Sequence, residues 1–259
     1  MGKRLIPAQR RVRIRGLLET NRIVTGSELS ELLGVSEATI RRDLEDMENE
    51  GILERTHGGA ILSQRMKVEP DYSVKVLAHP EEKSSIGALA ASLIEEGDIV
   101  FTNSGTTCAQ IIRHIPKGLN VTVITSNLGA ALEVREDGSE VILLGGTVYP
   151  RSNSVGGRFA IETLRQVYAN KTFVGVDGIS PKHGFTVPSG SEAEIIRMMI
   201  ERTRGPVVVV ADHSKWGVVS DFEVARLDQI HTLVTDAGFD PRASAELAAR
   251  NVRVLIADA

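Results

Sequence analysis

The fold is decided by LLGVSEATIRRDLEDMENEGILERTHGGA, which runs from Leu32 to Ala60 and contains a turn, a helix and a second turn in that order. Gly34 and Val35 supply the first turn. Ser36 follows, and its hydroxyl oxygen can accept a hydrogen bond from a free backbone N–H of the first helical turn. We therefore predict a helix that begins at Glu37.

The predicted helix has two different faces. At about 100° per residue, Ile40, Leu44 and Met47 share one face, which must be buried. A helix that enters the major groove of DNA does so with its N-terminal end foremost. The residues with that reach are Ser36, Glu37, Ala38, Thr39, Arg41 and Arg42. Two adjacent arginines suit a phosphate or the O6/N7 edge of guanine, so this helix is predicted to read DNA.

A hairpin should follow the helix. Gly51 ends it, residues 52–55 form a short strand, and His57 with two glycines makes a turn before Ile61 and Leu62 run back. Helical patterns at residues 8–19 and 27–33 come before. Three helices and a hairpin predict a winged helix-turn-helix, with His57 on the wing. The alternative is an amphipathic helix with a solvated charged face, followed by an ordinary hairpin.

Composition limits the class of protein. The chain has 259 residues, of which 42% are hydrophobic and 25% charged, so packed domains are expected rather than disorder. No apolar run approaches the ~18–20 residues of a membrane span, and we expect no membrane partner. The single cysteine, Cys108, excludes an internal disulfide and fits a reducing cytoplasm, where we expect the protein to act.

The distribution of charge matters more than the net charge of −4, which by itself argues against nucleic-acid binding. Residues 1–60 hold ten basic and ten acidic side chains, so this part is neutral. Its basic residues are clustered before the first acid, Glu19, and we expect them to meet DNA phosphates with the acids on the far side. They are Lys3, Arg4, Arg10, Arg11, Arg13 and Arg15. A solvated tail is the alternative.

The pattern changes after the hairpin. Residues 63–80 lose periodicity and gather polar residues and prolines, so we predict a DNA-binding domain at 1–62, a linker at 63–80 and a second domain at 81–259. From residue 81 onward, helical and strand-like patterns alternate. This succession predicts an α/β domain with a mainly parallel sheet.

Ligands of such sheets bind beyond the carboxyl ends of the strands, so the residues at those positions are site candidates. The first loop, Asn103-Ser104-Gly105-Thr106-Thr107, has the make-up of an anion cradle, with hydroxyl donors, a glycine and a helix N-terminus. The candidates in later loops are Ser126, Asn127, Gly145, Gly146, Asp177, Glu192 and Lys215. Singly, each has an ordinary explanation as a cap or turn residue. Several loops on one sheet edge favour a site.

Two motifs in the N-terminal part carry a resemblance to a known family. They are V-S-x-x-T-I-R-R-D-L at Val35 to Leu44 and R-x-H-G-G-A at Arg55 to Ala60. Residues 7–60 thereby resemble the DNA-binding domain of the DeoR family of bacterial transcriptional regulators. The resemblance implies double-stranded operator DNA as a partner.

Motifs of the second domain resemble the C-terminal sensor domain of the same family. They are SGTT at 104–107, LLGG at 143–146, VDG at 176–178, SEAE at 191–194 and ADHSKWG at 211–217. That domain in turn resembles ribose-5-phosphate isomerase. The resemblance implies a phosphorylated sugar, with the SGTT loop and Lys215 on the phosphate and Asp177 and Glu192 facing the sugar. Two positions depart from the family pattern: Ile196 stands where a lysine often occurs and Tyr149 where an arginine often occurs. Arg151 or Arg197 is a candidate replacement for the lost charge.

These observations together predict a transcriptional regulator, most simply a repressor of a carbohydrate-catabolism operon that a phosphorylated sugar releases from its operator. We expect a homo-oligomer, either dimer or tetramer, with no cofactor, metal site or catalytic residue. One alternative is a phosphosugar isomerase with an appended DNA-binding module. However, the second Asp of the isomerase motif is replaced by Ser180, and its Lys-Gly-Gly-Gly loop is missing. A second alternative is an architectural DNA binder whose α/β domain only oligomerises.

Overall fold

A computed structural model describes residues 5–21, 23–56, 58–62, 64–66, 70–131 and 139–258. His57, Lys3 and Arg4 lie outside these ranges. The N-terminal elements are α1 (Pro7–Asn21), β1 (Ile23–Thr25), α2 (Gly26–Leu33), α3 (Glu37–Asn49), β2 (Leu53–Arg55) and β3 (Gly59–Leu62). The elements that follow up to the first strand of the large sheet are β4 (Gln64–Arg65), α4 (Tyr72–Leu77) and α5 (Pro80–Ala91).

The remaining elements build the larger α/β part. They are β5 (Ile99–Thr102), α6 (Thr106–His114), β6 (Thr122–Thr125), α7 (Leu128–Ala131), β7 (Glu140–Leu143), β8 (Thr147–Tyr149), β9 (Ser154–Gly156), α8 (Arg158–Arg165), β10 (Lys171–Gly175), β11 (Gly178–Ser180), β12 (Gly184–Val187), α9 (Gly190–Glu201), β13 (Val207–Val210), β14 (Val218–Val219), β15 (Phe222–Ala225), β16 (Thr232–Asp236), α10 (Pro241–Ala248) and β17 (Arg253–Ala257). Across the described ranges, no helix combines the length and apolarity that crossing a bilayer requires.

The N-terminal part is a winged helix-turn-helix. Ser36 caps α3 by accepting a hydrogen bond from the Thr39 N–H at 3.4 Å, so the predicted helix start is confirmed. The predicted inner face, Ile40, Leu44 and Met47, is buried. The hairpin β2–β3 gains a third antiparallel strand, β1, in the order β1-β3-β2. The three residues of β1 are too few for a pattern of alternation to show in the sequence.

One of the two glycines in the wing, Gly59, is required by the close approach of β3 to β1. A Cβ atom at this position would lie 1.8 Å from the carbonyl oxygen of Val24 on β1. Only glycine therefore lets β3 approach β1 closely enough to pair, since any side chain would collide with the backbone. The wing sheet depends on this close approach.

The larger part contains a seven-stranded parallel sheet in the order β17-β16-β13-β10-β5-β6-β7. Helices α5 and α6 cover one face, where Ile86, Ile111 and Phe173 share a core, and α8, α9 and α10 lie on the other side. The predicted fold class is confirmed. The chain runs from β5 towards β7 and then returns to place β10 beside β5, so the sheet reverses its order between β5 and β10. Such a switch point opens a crevice at the carboxyl ends of the strands.

Several short elements were missing from the sequence interpretation. β11, β12 and β15 form a small antiparallel sheet, β8 and β9 form a hairpin, and β14 pairs with β4 in parallel. The predicted linker at 63–80 contains strand β4 and helix α4. Strand β4 contacts β14 and helix α4 contacts α6, so both elements pack on the larger part.

Candidate DNA-binding surface and ligand cavity

The predicted DNA-reading residues lie on the outer face of α3. Ser36, Glu37, Ala38, Arg41 and Arg42 are exposed. Thr39 is half-buried, and its hydroxyl lies 3.0 Å from that of Ser36. No carboxylate in the described part of the chain lies within ion-pair distance of Arg41 or Arg42, so both guanidinium groups can meet a duplex. His57 lies outside the described residues.

The prediction that the basic residues of α1 meet DNA phosphates is wrong for Arg10 and Arg11. Arg10 is buried and forms a two-armed ion pair with Asp43 on α3, one arm measuring 2.9 Å from Nη2 to Oδ1. Arg11 contacts Asp46 and also Glu50 at 3.1 Å. These carboxylates therefore lie beside the basic residues of α1 and not on the opposite side of the domain. Their ion pairs hold α1 against α3.

Two other basic residues of α1 remain at the surface. Arg15 is paired with Glu19 at 3.1 Å within its own helix. Arg13 is exposed and, among the described members of the cluster, has no ion pair, so it remains a candidate for a phosphate contact. Within α1, fewer basic side chains are therefore available to phosphates than the sequence indicated.

A cavity of about 210 Å³ lies at the switch point of the large sheet. Its floor comes from the ends of β5, β10 and β13, and α4 and the start of α5 form its rim. The predicted effector-binding residues that line it are Ser104, Gly105, Thr106, Thr107, Asp177, Glu192 and Lys215. Residues from four separate loops therefore meet in one place.

The loop after β5 is held in a fixed shape around the N-terminus of α6. Asn103 donates to the Gly175 carbonyl at 3.1 Å and accepts from the Gly175 N–H at 2.8 Å, which joins the ends of β5 and β10. Asn127 donates to the Gly105 carbonyl at 3.0 Å. The free N–H groups and positive dipole end of α6 therefore point at the cavity. Asn103 and Asn127 position the loop from behind and do not line the cavity.

Glu192 connects this loop to α9. Its Oε1 accepts hydrogen bonds from the Ser104 hydroxyl at 2.9 Å and from the Asn103 amide at 3.2 Å. The helix is capped by Ser189, whose hydroxyl accepts from the Glu192 N–H at 3.4 Å. The carboxylate of Glu192 is thus directed into the site, and capping is left to another residue.

Besides Asn103 and Asn127, four other predicted effector-binding residues do not line the cavity: Ser126, Gly145, Gly146 and Arg151. Ser126 is buried, and its carbonyl accepts from the Val155 N–H at 2.9 Å. A Cβ on Gly146 would lie 2.3 Å from the Gly156 carbonyl oxygen, so this glycine serves hairpin packing, while Gly145 has no neighbour at its Cβ position. Arg151 forms an ion pair with Asp71 at 2.9 Å. The other candidate replacement cation, Arg197, donates to the Glu223 carbonyl.

Two lysines that line the cavity were not predicted. Lys75 on α4 forms an ion pair with Asp177 at 2.9 Å. Lys83 on α5 is buried and donates to the carbonyls of Lys75 and Ala78, which closes the end of α4. Burial lowers the pKa of Lys83; the charges of Asp212 and Asp177 oppose this shift, and those of Lys215 and Lys75 add to it. The burial of Lys83 could have been predicted from the sequence, because this residue lies three positions before Ile86 and so on the apolar face of its helix.

Two residues of opposite charge, Asp212 and Lys215, follow the end of β13. Burial alone would raise the pKa of Asp212, but the Lys215 ammonium and the hydrogen bonds from Ser214 hold it below its ordinary value. Asp212 therefore stays ionised beside a lysine. The cavity combines three lysines with three carboxylates, an arrangement suited to a ligand that has both an anionic group and hydroxyls.

Comparison with known proteins covers both parts of the chain. The model of the DeoR-like helix-turn-helix domain matches residues 10–65, and that of the DeoR C terminal sensor domain matches residues 78–237. The HTH-type transcriptional regulator GlpR of Haloferax volcanii is 33% identical over 97% of this chain and 98% of its own. The HTH-type transcriptional repressor GlcR of Bacillus subtilis is 36% identical over 88% of each chain. Ribose 5-phosphate isomerase A of Methanocaldococcus jannaschii aligns with a TM-score of 0.39 at 17% identity, over 54% of this chain and 55% of that one. The chain belongs to the DeoR family of DNA-binding transcriptional regulators.

Proposed function

We propose that the protein is a repressor of a carbohydrate-catabolism operon and that a phosphorylated sugar in the switch-point cavity releases it from its operator. One observation carries the proposal: the N-terminus of α6 and the lysines 75, 83 and 215 converge with Asp177 and Glu192 in a single cavity. Helix N-termini and lysines bind phosphate, and carboxylates accept hydrogen bonds from sugar hydroxyls.

The phosphate is assigned to the loop from Ser104 to Thr107 and to Lys215. The sugar then faces Asp177 and Glu192, which stand on the neighbouring strand end and helix. Catalysis is not part of the proposal, and neither a cofactor nor a metal is needed for binding. The protein acts as a binding module whose ligand changes its affinity for DNA.

Release from DNA follows from thermodynamic linkage. A ligand that binds the non-DNA-binding arrangement more tightly lowers operator affinity by the factor by which operator DNA lowers ligand affinity, typically about 1–3 kcal/mol.

We further propose that residues 1–62 form the DNA-binding domain, that 63–80 connect it to a sensor and oligomerisation domain at 81–259, and that the chain acts in the cytoplasm as a homo-oligomer. An even number of subunits would match a palindromic operator.

Sugar phosphates should raise the melting temperature of the purified protein, and the same sugars without phosphate should not. A ligand at roughly 100 times its Kd stabilises the folded state by about 2.7 kcal/mol, which shifts a protein of this size by several degrees. A thermal-shift screen against pentose, hexose and triose phosphates, each paired with its unphosphorylated form, measures this. Equal shifts for both members of every pair, or no shift at all, would contradict the proposed ligand class.

Arg42→Ala should weaken binding to the operator by about 1–3 kcal/mol if the guanidinium reads a base. The operator fragment is first obtained by selection from random DNA, and binding is then titrated at several salt concentrations. Arg165→Ala is the matched control, because it removes an exposed arginine from the sensor side. A phosphate contact would instead weaken all sequences equally and reduce the salt slope by about one. If operator titrations of the two variants coincide, Arg42 does not contact DNA.

A further inference from the structure

The wing is docked on the sensor side through a buried carboxylate. Glu54 on β2 is only 2% exposed, and its Oε2 accepts a hydrogen bond from the Ser180 hydroxyl on β11. The Nε2 of His183 lies 3.8 Å from the other oxygen of Glu54. Ile23 and Ile61 of the wing sheet belong to the same apolar cluster as Trp216. The DNA-binding part is therefore held in one orientation by specific contacts.

The strand that holds Glu54 begins at the ligand cavity. Asp177 lines the cavity and is followed directly by β11, whose last residue is Ser180. The strand packs closely against β14, because a Cβ on Gly178 would lie 2.4 Å from the Val218 carbonyl oxygen. Ser180 is only three residues from Asp177, so the path along the chain from the cavity to the Glu54 contact is short.

A second strand makes the same connection from another cavity residue. Lys215 is followed by Trp216, Gly217 and then β14. The N–H of Gly217 donates to the carbonyl of Ile179 on β11 at 2.9 Å. β14 pairs in parallel with β4, the strand that leaves the wing, and the Met66 N–H donates to the Val219 carbonyl at 2.9 Å. Both strands therefore lead from the cavity towards the wing, and the residue before β14 is hydrogen-bonded to β11.

We infer that β11 and β14 couple occupancy of the cavity to the orientation of the DNA-binding domain, with the Ser180–Glu54 hydrogen bond as the docking contact. The inference rests on the proposed function and adds the path by which ligand binding reaches the DNA-binding domain. An anionic ligand competes with Asp177 for Lys75, which now pairs with it at 2.9 Å. Asp177 and Lys215 then shift with the ligand, and the two strands carry the shift to the wing.

Hydrogen exchange tests the route with inorganic phosphate as the probe. In the wild-type protein, phosphate should slow exchange in residues 104–107 and change it several-fold in residues 53–62, compared with chloride at equal ionic strength. Slower exchange at 104–107 without any change at 53–62 would overturn the inference and leave the cavity assignment standing. The lack of any effect at 104–107 would overturn the cavity assignment and the inference with it.

A pair of isosteric variants isolates the docking contact. The Ser180 hydroxyl also accepts from the N–H groups of Lys182 and His183 at 3.2 and 3.0 Å, and either Asp or Asn can keep these turn bonds. Ser180→Asn retains a donor towards Glu54, whereas Ser180→Asp brings two carboxylates together in a buried place. Exchange in residues 53–62 should be about tenfold faster in the Asp variant than in the Asn variant, and phosphate should no longer alter it.

Rescue distinguishes a docking contact from a general loss of structure. Adding Glu54→Gln to Ser180→Asp removes the repulsion and supplies an amide donor, so both slow exchange at 53–62 and its response to phosphate should return. Phosphate should protect residues 104–107 in all of these variants, because Ser180 does not line the cavity. If the Asp and Asn variants exchange and respond alike, the Ser180–Glu54 contact does not couple the two sites.

Discussion

Asp43→Ala should destabilise the DNA-binding domain by about 3–5 kcal/mol, which is a large share of the stability of a small domain. The reason is that Arg10, only 6% exposed, would keep its charge without a counter-ion. In the wild-type protein the hydrogen bond to Asp43 raises the pKa of Arg10 above its ordinary value. Without Asp43 this contribution is lost, but a guanidinium stays protonated at any working pH, so Arg10 cannot escape by losing its proton. Chemical unfolding followed by hydrogen exchange in α1 and α3 measures the loss.

Two further variants show whether burial of the pair is the cause. Arg10→Met with Asp43→Leu removes both charges at similar volume and should be far less damaging than Asp43→Ala, because hydrophobic replacement of a buried ion pair is often neutral. Glu19→Ala breaks the exposed pair with Arg15 and should cost less than about 1 kcal/mol. A loss in Asp43→Ala no greater than that in Glu19→Ala would show that the interaction between α1 and α3 does not depend on this pair.

The same ion pair marks the limit of sequence reasoning in the N-terminal part. The start of α3 and its inner face were predictable because Ser36 and Ile40 act through neighbours within one or two helical turns. Arg10 and Asp43 are 33 residues apart, and nothing local distinguishes a buried arginine from one that faces DNA. The clustering of basic residues before Glu19 was real, but tertiary pairing gave two of them a structural role.

In the α/β part, the parallel sheet and the meeting of several loops could be predicted because strand ends share one edge. Lys75 could not, since its helix α4 is six residues long and lies in a stretch without periodicity. The roles of Asn103 and Asn127 behind the loop also needed coordinates, because a buried amide and a ligand-binding amide look alike in sequence. The role of Ser180, which stands where the isomerase motif has an Asp, also required the structure: its hydroxyl donates a hydrogen bond to Glu54.

Lys215→Ala should leave operator binding intact without ligand and raise the sugar-phosphate concentration needed for release by about 100-fold. A charge-assisted hydrogen bond to phosphate is worth about 1.5–3 kcal/mol, and every 1.4 kcal/mol is tenfold in affinity. The loss should lie at the upper end of this range, because Asp212 remains beside the cavity after its lysine is removed and repels the incoming anion. Operator titrations with the sugar phosphate that raises the melting temperature most provide the measurement.

Lys117→Ala serves as the matched variant, since it removes an exposed lysine of the same domain that does not line the cavity. It should respond to ligand as the wild type does. Adding Asp212→Asn to Lys215→Ala should recover part of the response, because it removes the unpaired carboxylate without restoring the cation. This partial recovery separates electrostatic recognition of phosphate from a local loss of structure at the end of β13. If Lys215→Ala is released at the wild-type ligand concentration, the phosphate is bound elsewhere, and the assignment of the α6 N-terminus must be abandoned with it.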